Sequence, residues 1–195
     1  MDVSSISEAL ALVFNLAYVV LAIFQSVWCW PAGLVGAGLT LVVFLHARLY
    51  GAMALQGVYI ALMVYGWHTW RHGGKEGSEL AVSRTPARWR LVLASAGLAF
   101  AAALGLFLWH RTDAALPFWD AGTTSFSLVA QFMTTRKWLE SWLVWIVVDA
   151  VYVGMLLSQQ LHLMTALYLA YLVLAVLGFV KWRRSLRGEH TGETP

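Results

Sequence analysis

The sequence predicts an all-α membrane protein of seven transmembrane helices: two parallel three-helix repeats joined by a linker helix, N-terminus outside and C-terminus inside. Three observations carry this: long uncharged runs, a one-sided distribution of basic residues, and a self-similarity at a shift of 112 residues. Of the 195 residues, 60% are hydrophobic and 12% charged, where a soluble domain carries about 25% charged residues. No Asp, Glu, Lys or Arg occurs in Ala9–Ala47, Leu49–Trp70, Leu91–Trp109 or Ala150–Val180, and one crossing needs about 20 apolar residues. The whole chain, 1–195, therefore reads as a single transmembrane domain.

The runs are cut where turn chemistry allows. Helix 1 is expected at about 8–28, helix 2 at 31–47 and helix 3 at 51–70, with breaks at Trp30-Pro31 and Arg48-Leu49-Tyr50-Gly51. Helix 4 is expected at about 89–109, and helix 5, short and polar, at about 121–136. Helix 6 follows at about 139–157, then a break at Ser158-Gln159-Gln160 and helix 7 at about 161–182. The first eight residues hold no Lys or Arg, so a cleavable leader is not expected and the first apolar segment stays as helix 1.

Alternating the loops between sides puts 11 of the 13 basic residues on one face, leaving only Arg48 and Arg111 on the other. The basic face is cytoplasmic by the positive-inside rule. The +3 net charge thus reports topology, not nucleic-acid binding. A single cysteine, Cys29, excludes a disulfide framework.

The shift of 112 residues pairs Gly66 with Gly178, Trp70 with Trp182, Arg71 with Arg183, Trp30 with Trp142 and Tyr59 with Tyr171. Repeat one is then 8–71, the linker helix 89–110, repeat two 121–183, and 184–195 a cytoplasmic tail. An odd linker helix makes the repeats parallel, as in SWEET transporters, with a ligand expected near the midplane between them.

On helix 6, Trp138, Trp142, Trp145, Asp149 and Tyr152 recur at spacings of 4, 3, 4 and 3, one helical stripe. Asp149 is the one acid deep within a span, and such a carboxylate is costly unless it functions. Aromatic faces attract cations, so the stripe suits a flat cationic ring with Asp149 as counter-charge or acceptor. Packing of the tryptophans against neighbouring helices is the competing explanation. Helix 5 brings Ser125, Ser127, Gln131, Thr134 and Thr135, of which Gln131 is the candidate for a cavity. Asn15 and Tyr18 share a face of helix 1, as do Gln56, Tyr59 and Met63 on helix 3. Interhelical bonding explains these polar residues as readily as substrate contact. Glu8 and Glu140 are expected at solvated helix ends. The six histidines lie near span ends or in loops, so neither a metal site nor a cofactor is expected.

The Trp142-Leu-Val-Trp145 pair, the Arg48-Leu-Tyr-Gly51 junction, the Tyr65-Gly-Trp-x-x-Trp70 end of helix 3 and the three-plus-one-plus-three layout together resemble the PnuC family of nicotinamide riboside carriers along nearly the whole chain. The resemblance implies facilitated diffusion of a vitamin across the bacterial cytoplasmic (inner) membrane, feeding NAD biosynthesis. It also implies a functional link to a cytoplasmic kinase that makes uptake one-way by phosphorylating the substrate. Trp142 and Trp145 are the substrate contacts carried over from it. Nicotinamide riboside is a small cation; thiamine, riboflavin or another nucleoside remain alternatives within the family. Outside it, a non-transporting receptor or scaffold of the same fold is the main rival. No paired acids, activated nucleophile or catalytic residue at span depth supports an enzyme, and no mid-helix lysine supports a retinal photoreceptor.

Overall fold

A computed structural model of the chain describes residues 3–46, 48 and 50–191, without the side chains of 3–6, 8, 50, 51 and 189–191. Ala47, Leu49, residues 192–195 of the expected tail, and the side chains of Glu8 and His190 lie outside this description. Among the described residues seven α-helices follow one another: α1 (Val3–Ile23), α2 (Cys29–His46), α3 (Tyr50–His72), α4 (Ala87–Arg111), α5 (Pro117–Thr135), α6 (Ser141–Ser158) and α7 (His162–Thr191). Cys29–His46, Ala87–Arg111, Ser141–Ser158 and His162–Gly188 are each long and apolar enough to cross a membrane unaided. The all-helical membrane class read from the sequence therefore holds.

Several boundaries differ, with α1 beginning at Val3 and α5 at Pro117, ahead of the expected 8 and 121. α1 ends at Ile23, not near residue 28, because the chain turns through Gln25, whose φ of 58° is left-handed. No Gly or Pro marks that turn. Pro31 does not break the chain; it sits in the first turn of α2, where a missing N–H costs no intrahelical bond. α7 runs on to Thr191, so the basic segment 184–191 is helix.

The chain forms two compact units, Met1–Ala81 with Thr135–Lys137, and Val82–Thr134 with Trp138–Pro195. In the first, α2 packs on both α1 and α3. Its anchor is Trp30, fully buried, whose ring meets Trp70 edge-on at 5.2 Å and 88°. Gly66 makes this possible, since a Cβ there would overlap the Trp30 indole. In the second unit α6 packs on α7 and the arrangement recurs. Trp142 meets Trp182 edge-on at 5.3 Å and 90°, and a Cβ on Gly178 would lie 2.6 Å from the Trp142 ring. α4 joins this unit by close approach to α5, where Gly97 faces Phe126 and Val129, and Ser125 Oγ donates to the Gly97 carbonyl at 2.7 Å.

The match extends to the backbone. Adding 112 to the ends of α2 gives those of α6, and the end of α1 and start of α3 give the end of α5 and start of α7. The turn bonds Ser26 N–H to Leu21 C=O and Trp138 N–H to Met133 C=O, 3.0 and 3.2 Å, obey the same shift. So do the left-handed residues, Gln25 with Lys137 and Arg48 with Gln160.

Candidate functional site

α6 is held at its start by a polar clasp. Glu140, which precedes its first turn, accepts from the Thr85 N–H at 2.7 Å and the Thr85 hydroxyl at 2.8 Å through Oε2. Arg90 lies 3.6 Å from its other oxygen and donates Nε–H to the Thr85 carbonyl at 2.9 Å. Glu140 is thus bonded, not solvated as the sequence suggested. In the first unit, Lys137 is buried although it reads as a loop cation. Its ammonium donates to the Leu80 carbonyl at 2.8 Å and lies 4.6 Å from the Trp70 ring centroid.

Above this clasp the helix 6 stripe lies against α5 and α7. Half-buried Trp145 donates its indole N–H to Thr134 Oγ1 of α5 at 3.3 Å. One turn on, Asp149 is buried at 6% exposure. Further along, Tyr152 stacks at 4.5 Å and 35° on Tyr168 of α7, itself 5.9 Å from Tyr171. Thr123 and Thr124 of α5 lie beside the Tyr152 hydroxyl, and Tyr171 lies in the field of Asp149. Antiparallel packing with Thr134 opposite Trp145 and Thr123 opposite Tyr152 sets Ser127 and Gln131 at the level of Asp149. Both are buried, at 5% and 2% exposure. One carboxylate, one carboxamide, three threonines, one serine, three tyrosines and an indole are thereby gathered on three helices of one unit. Such a cluster can accept hydrogen bonds from a polar ligand, stack on a flat ring and offset a positive charge.

Of the residues singled out from sequence, Gln131, Trp145, Asp149 and Tyr152 come together here. Trp142 is on the same helix, placed in the packing against Trp182 and Gly178. Its buried indole N–H has no protein acceptor, and neither has that of Trp30. The matched pair makes this a property of the tryptophan packing and not a mark of a ligand. Asn15, Tyr18, Gln56 and Tyr59 belong to the other unit. There the Asn15 carboxamide covers Gly36, and Tyr18 covers Gly33 together with Met63 while its ring lies 5.8 Å from Trp30. Gln56 and Tyr59 are half-buried on α3. Sequence reading passed over Thr123, Thr124 and Tyr168 as site residues and used Tyr171 only as a repeat match. The three-residue spacing of Tyr168 and Tyr171 on one face of α7 is the signal that points to them. Another face of α6 and α5 lines a cavity of about 460 Å³, with Phe126, Leu143, Val147 and Val151 among its walls. Its apolar lining offers a charged solute nothing.

Comparison with known proteins agrees with the helical membrane fold. Residues 5–184 match the family described as nicotinamide mononucleotide transporter. The chain is 26% identical over 205 residues to the nicotinamide riboside transporter PnuC of Escherichia coli (strain K12), covering 92% of this chain and 86% of that one. It is 26% identical over 179 residues to the riboflavin/roseoflavin transporter RibM of Streptomyces davaonensis, covering 90% and 84%. Its fold is similar to the crystal structure of the vitamin B3 transporter PnuC, with a TM-score of 0.73 at 24% identity, over 94% of this chain and 83% of that one. Helices, apolar spans and family match together make this chain a multi-pass membrane transporter of the nicotinamide mononucleotide transporter (PnuC) family, and not an enzyme.

Proposed function

We propose that this transporter takes up nicotinamide riboside by facilitated diffusion, with the α5–α6–α7 cluster as its binding site. The observation that carries the reading is Asp149, a buried carboxylate set among Trp145, Tyr152, Tyr171 and Gln131. A carboxylate is hard to keep inside a span without a cation or a donor to satisfy it. A pyridinium ring that stacks on Trp145 answers both the charge and the aromatic face. Gln131 then accepts or donates to the ribose, and Tyr152 closes the outer side. Trp142 and, within the other unit, Asn15, Tyr18, Gln56 and Tyr59 are further candidate contacts offered by the sequence, outside this cluster.

In this proposal the two three-helix segments are a parallel duplication with α4 as linker, the N-terminus is outside, and the membrane is the bacterial cytoplasmic one. The matched helix ends and left-handed turn residues support the duplication, and the basic loops support the orientation. A cytoplasmic kinase that phosphorylates the substrate gives uptake its direction. Thiamine, another flat cation, satisfies the same chemistry. Riboflavin is the second reading, favoured by the similarity to RibM.

Calorimetry on detergent-purified protein separates them. We expect nicotinamide riboside to bind at micromolar concentration or tighter. Trp145→Ala should weaken it about tenfold to thirtyfold, the equivalent of a desolvated cation–aromatic contact of about 2 kcal/mol. Asp149→Asn should weaken it with little change in melting temperature. Binding of riboflavin alone replaces the substrate, and folded protein that binds none of the three overturns the substrate assignment.

A further inference from the structure

We propose that Asp120, at the outer end of α5, is a recruiting site that collects the cationic substrate and passes it along Tyr152 to Asp149. The proposal rests on the cationic-vitamin reading above and extends the same site toward the surface.

α5 carries one polar stripe along its whole length: Asp120, Thr123 and Thr124, Ser127, Gln131 and Thr134, at the spacing of a single helix face. From Thr123 inward the named members are buried or half-buried; Asp120 alone is exposed. Its carboxylate has no hydrogen-bond or ion-pair partner among the described residues, the nearest bond being from the Thr123 hydroxyl to its backbone carbonyl at 3.0 Å. The Tyr152 hydroxyl stands on the facing side of α6, beside Thr123 and Thr124 and in the fields of both Asp120 and Asp149. Polar groups therefore run from the exposed carboxylate to the buried one on facing sides of α5 and α6.

An exposed carboxylate at the mouth of such a seam raises the local concentration of a cation, and its field is screened within a Debye length of about 8 Å at physiological salt. The alternative is a structural one: an acid in the first turn of α5 stabilises that helix end. The two make different predictions. A recruiting charge acts on uptake at low substrate and low salt and leaves folding alone; a helix-end charge acts on melting.

The test is initial uptake of nicotinamide riboside into proteoliposomes, at substrate well below saturation, in low and in high salt. Wild type, Asp120→Asn and Asp149→Asn are compared, with Asp113→Asn as a control for outer-surface charge off the stripe. Asp120→Asn should lower uptake about threefold to tenfold at low ionic strength. The difference should vanish near 1 M salt, where the Debye length is about 3 Å. Asp113→Asn should behave as wild type at both. Wild-type uptake by Asp120→Asn at low salt overturns the proposal, as does an equal loss at both salts with a lowered melting temperature. If Asp149→Asn abolishes uptake while Asp120→Asn does not, the substrate reading stands without the recruiting site. A wild-type protein that carries no cation removes both.

Discussion

The segments α1–α3 and α5–α7 have the same turns and the same tryptophan anchors, yet they place side-chain volume in opposite positions. In the first, α2 is small where it meets its neighbours: Gly33 and Gly36 are covered by Tyr18, Asn15 and Met63 from α1 and α3. In the second, the residues 112 positions on are reversed. Trp145 stands where Gly33 does, Asp149 where Ala37 does and Tyr152 where Thr40 does. Facing them, Ala130, Ser127 and Ala175 take the places of Tyr18, Asn15 and Met63. Both arrangements fill the helix interface, as close packing requires. Only the second puts aromatic and acidic groups on the middle helix, in one stripe, and leaves the polar residues of α5 to meet them.

The shared part and the divergent part therefore do different work. Trp30–Gly66–Trp70 and Trp142–Gly178–Trp182 set how the second helix of each segment crosses the third. Because that geometry does not depend on the faces above it, one segment can carry the cluster around Asp149 while the other packs with ordinary side chains.

The largest expected effect tests the shared part. A methyl group at Gly66 or Gly178 overlaps an indole that is itself pressed against a second tryptophan, so the ring cannot yield. Gly66→Ala and Gly178→Ala should each destabilise by about 1–3 kcal/mol, the usual cost of overpacking a tight core. Thermal melting of the purified protein in detergent reads both. Equal losses support equivalent anchors; a loss at only one breaks the comparison.

Sequence periodicity reached the α6 stripe because helical spacing is local: Trp138, Trp142, Trp145, Asp149 and Tyr152 are readable from residue numbers alone. Gln131 was reachable for the same reason, as a large amide inside an apolar run. Tyr168 and Thr123 were not, because their roles follow from the antiparallel registers of α6 with α7 and with α5. Those registers rest on contacts far apart in sequence, such as Gly178 against Trp142. Lys137 and Glu140 misled for another reason. Charge in a short polar turn reads as solvent-exposed, whereas the segment between α3 and α4 folds onto that turn and supplies the Leu80 carbonyl and the Thr85 donors. The turn itself was misplaced by five residues at the end of α1, since Gln25 adopts a backbone conformation that sequence rules assign to glycine.

The left-handed residues give the smallest and sharpest prediction. A non-glycine residue pays about 1–2 kcal/mol to sit in that region, and glycine gives back part of this through its greater freedom in the unfolded chain. Arg48 and Gln160 occupy matched positions at φ of 56° and 59°, and both are exposed. Arg48→Gly and Gln160→Gly should therefore raise stability alike, by at most about 1 kcal/mol. At the other matched pair the segments should part company. Gln25→Gly, at φ of 58°, relieves the same strain, whereas Lys137→Gly, at φ of 53°, also removes the ammonium that bonds Leu80 and lies over Trp70. That orphaned carbonyl and lost cation–aromatic contact outweigh the relief, so Lys137→Gly should lower the melting temperature while Gln25→Gly leaves it unchanged or raises it. Opposite signs at 25 and 137, with equal signs at 48 and 160, would show that turn geometry is common to the segments while the chemistry on it is not; a gain at 137 would mean that Lys137 is held there by the fold and contributes nothing to it.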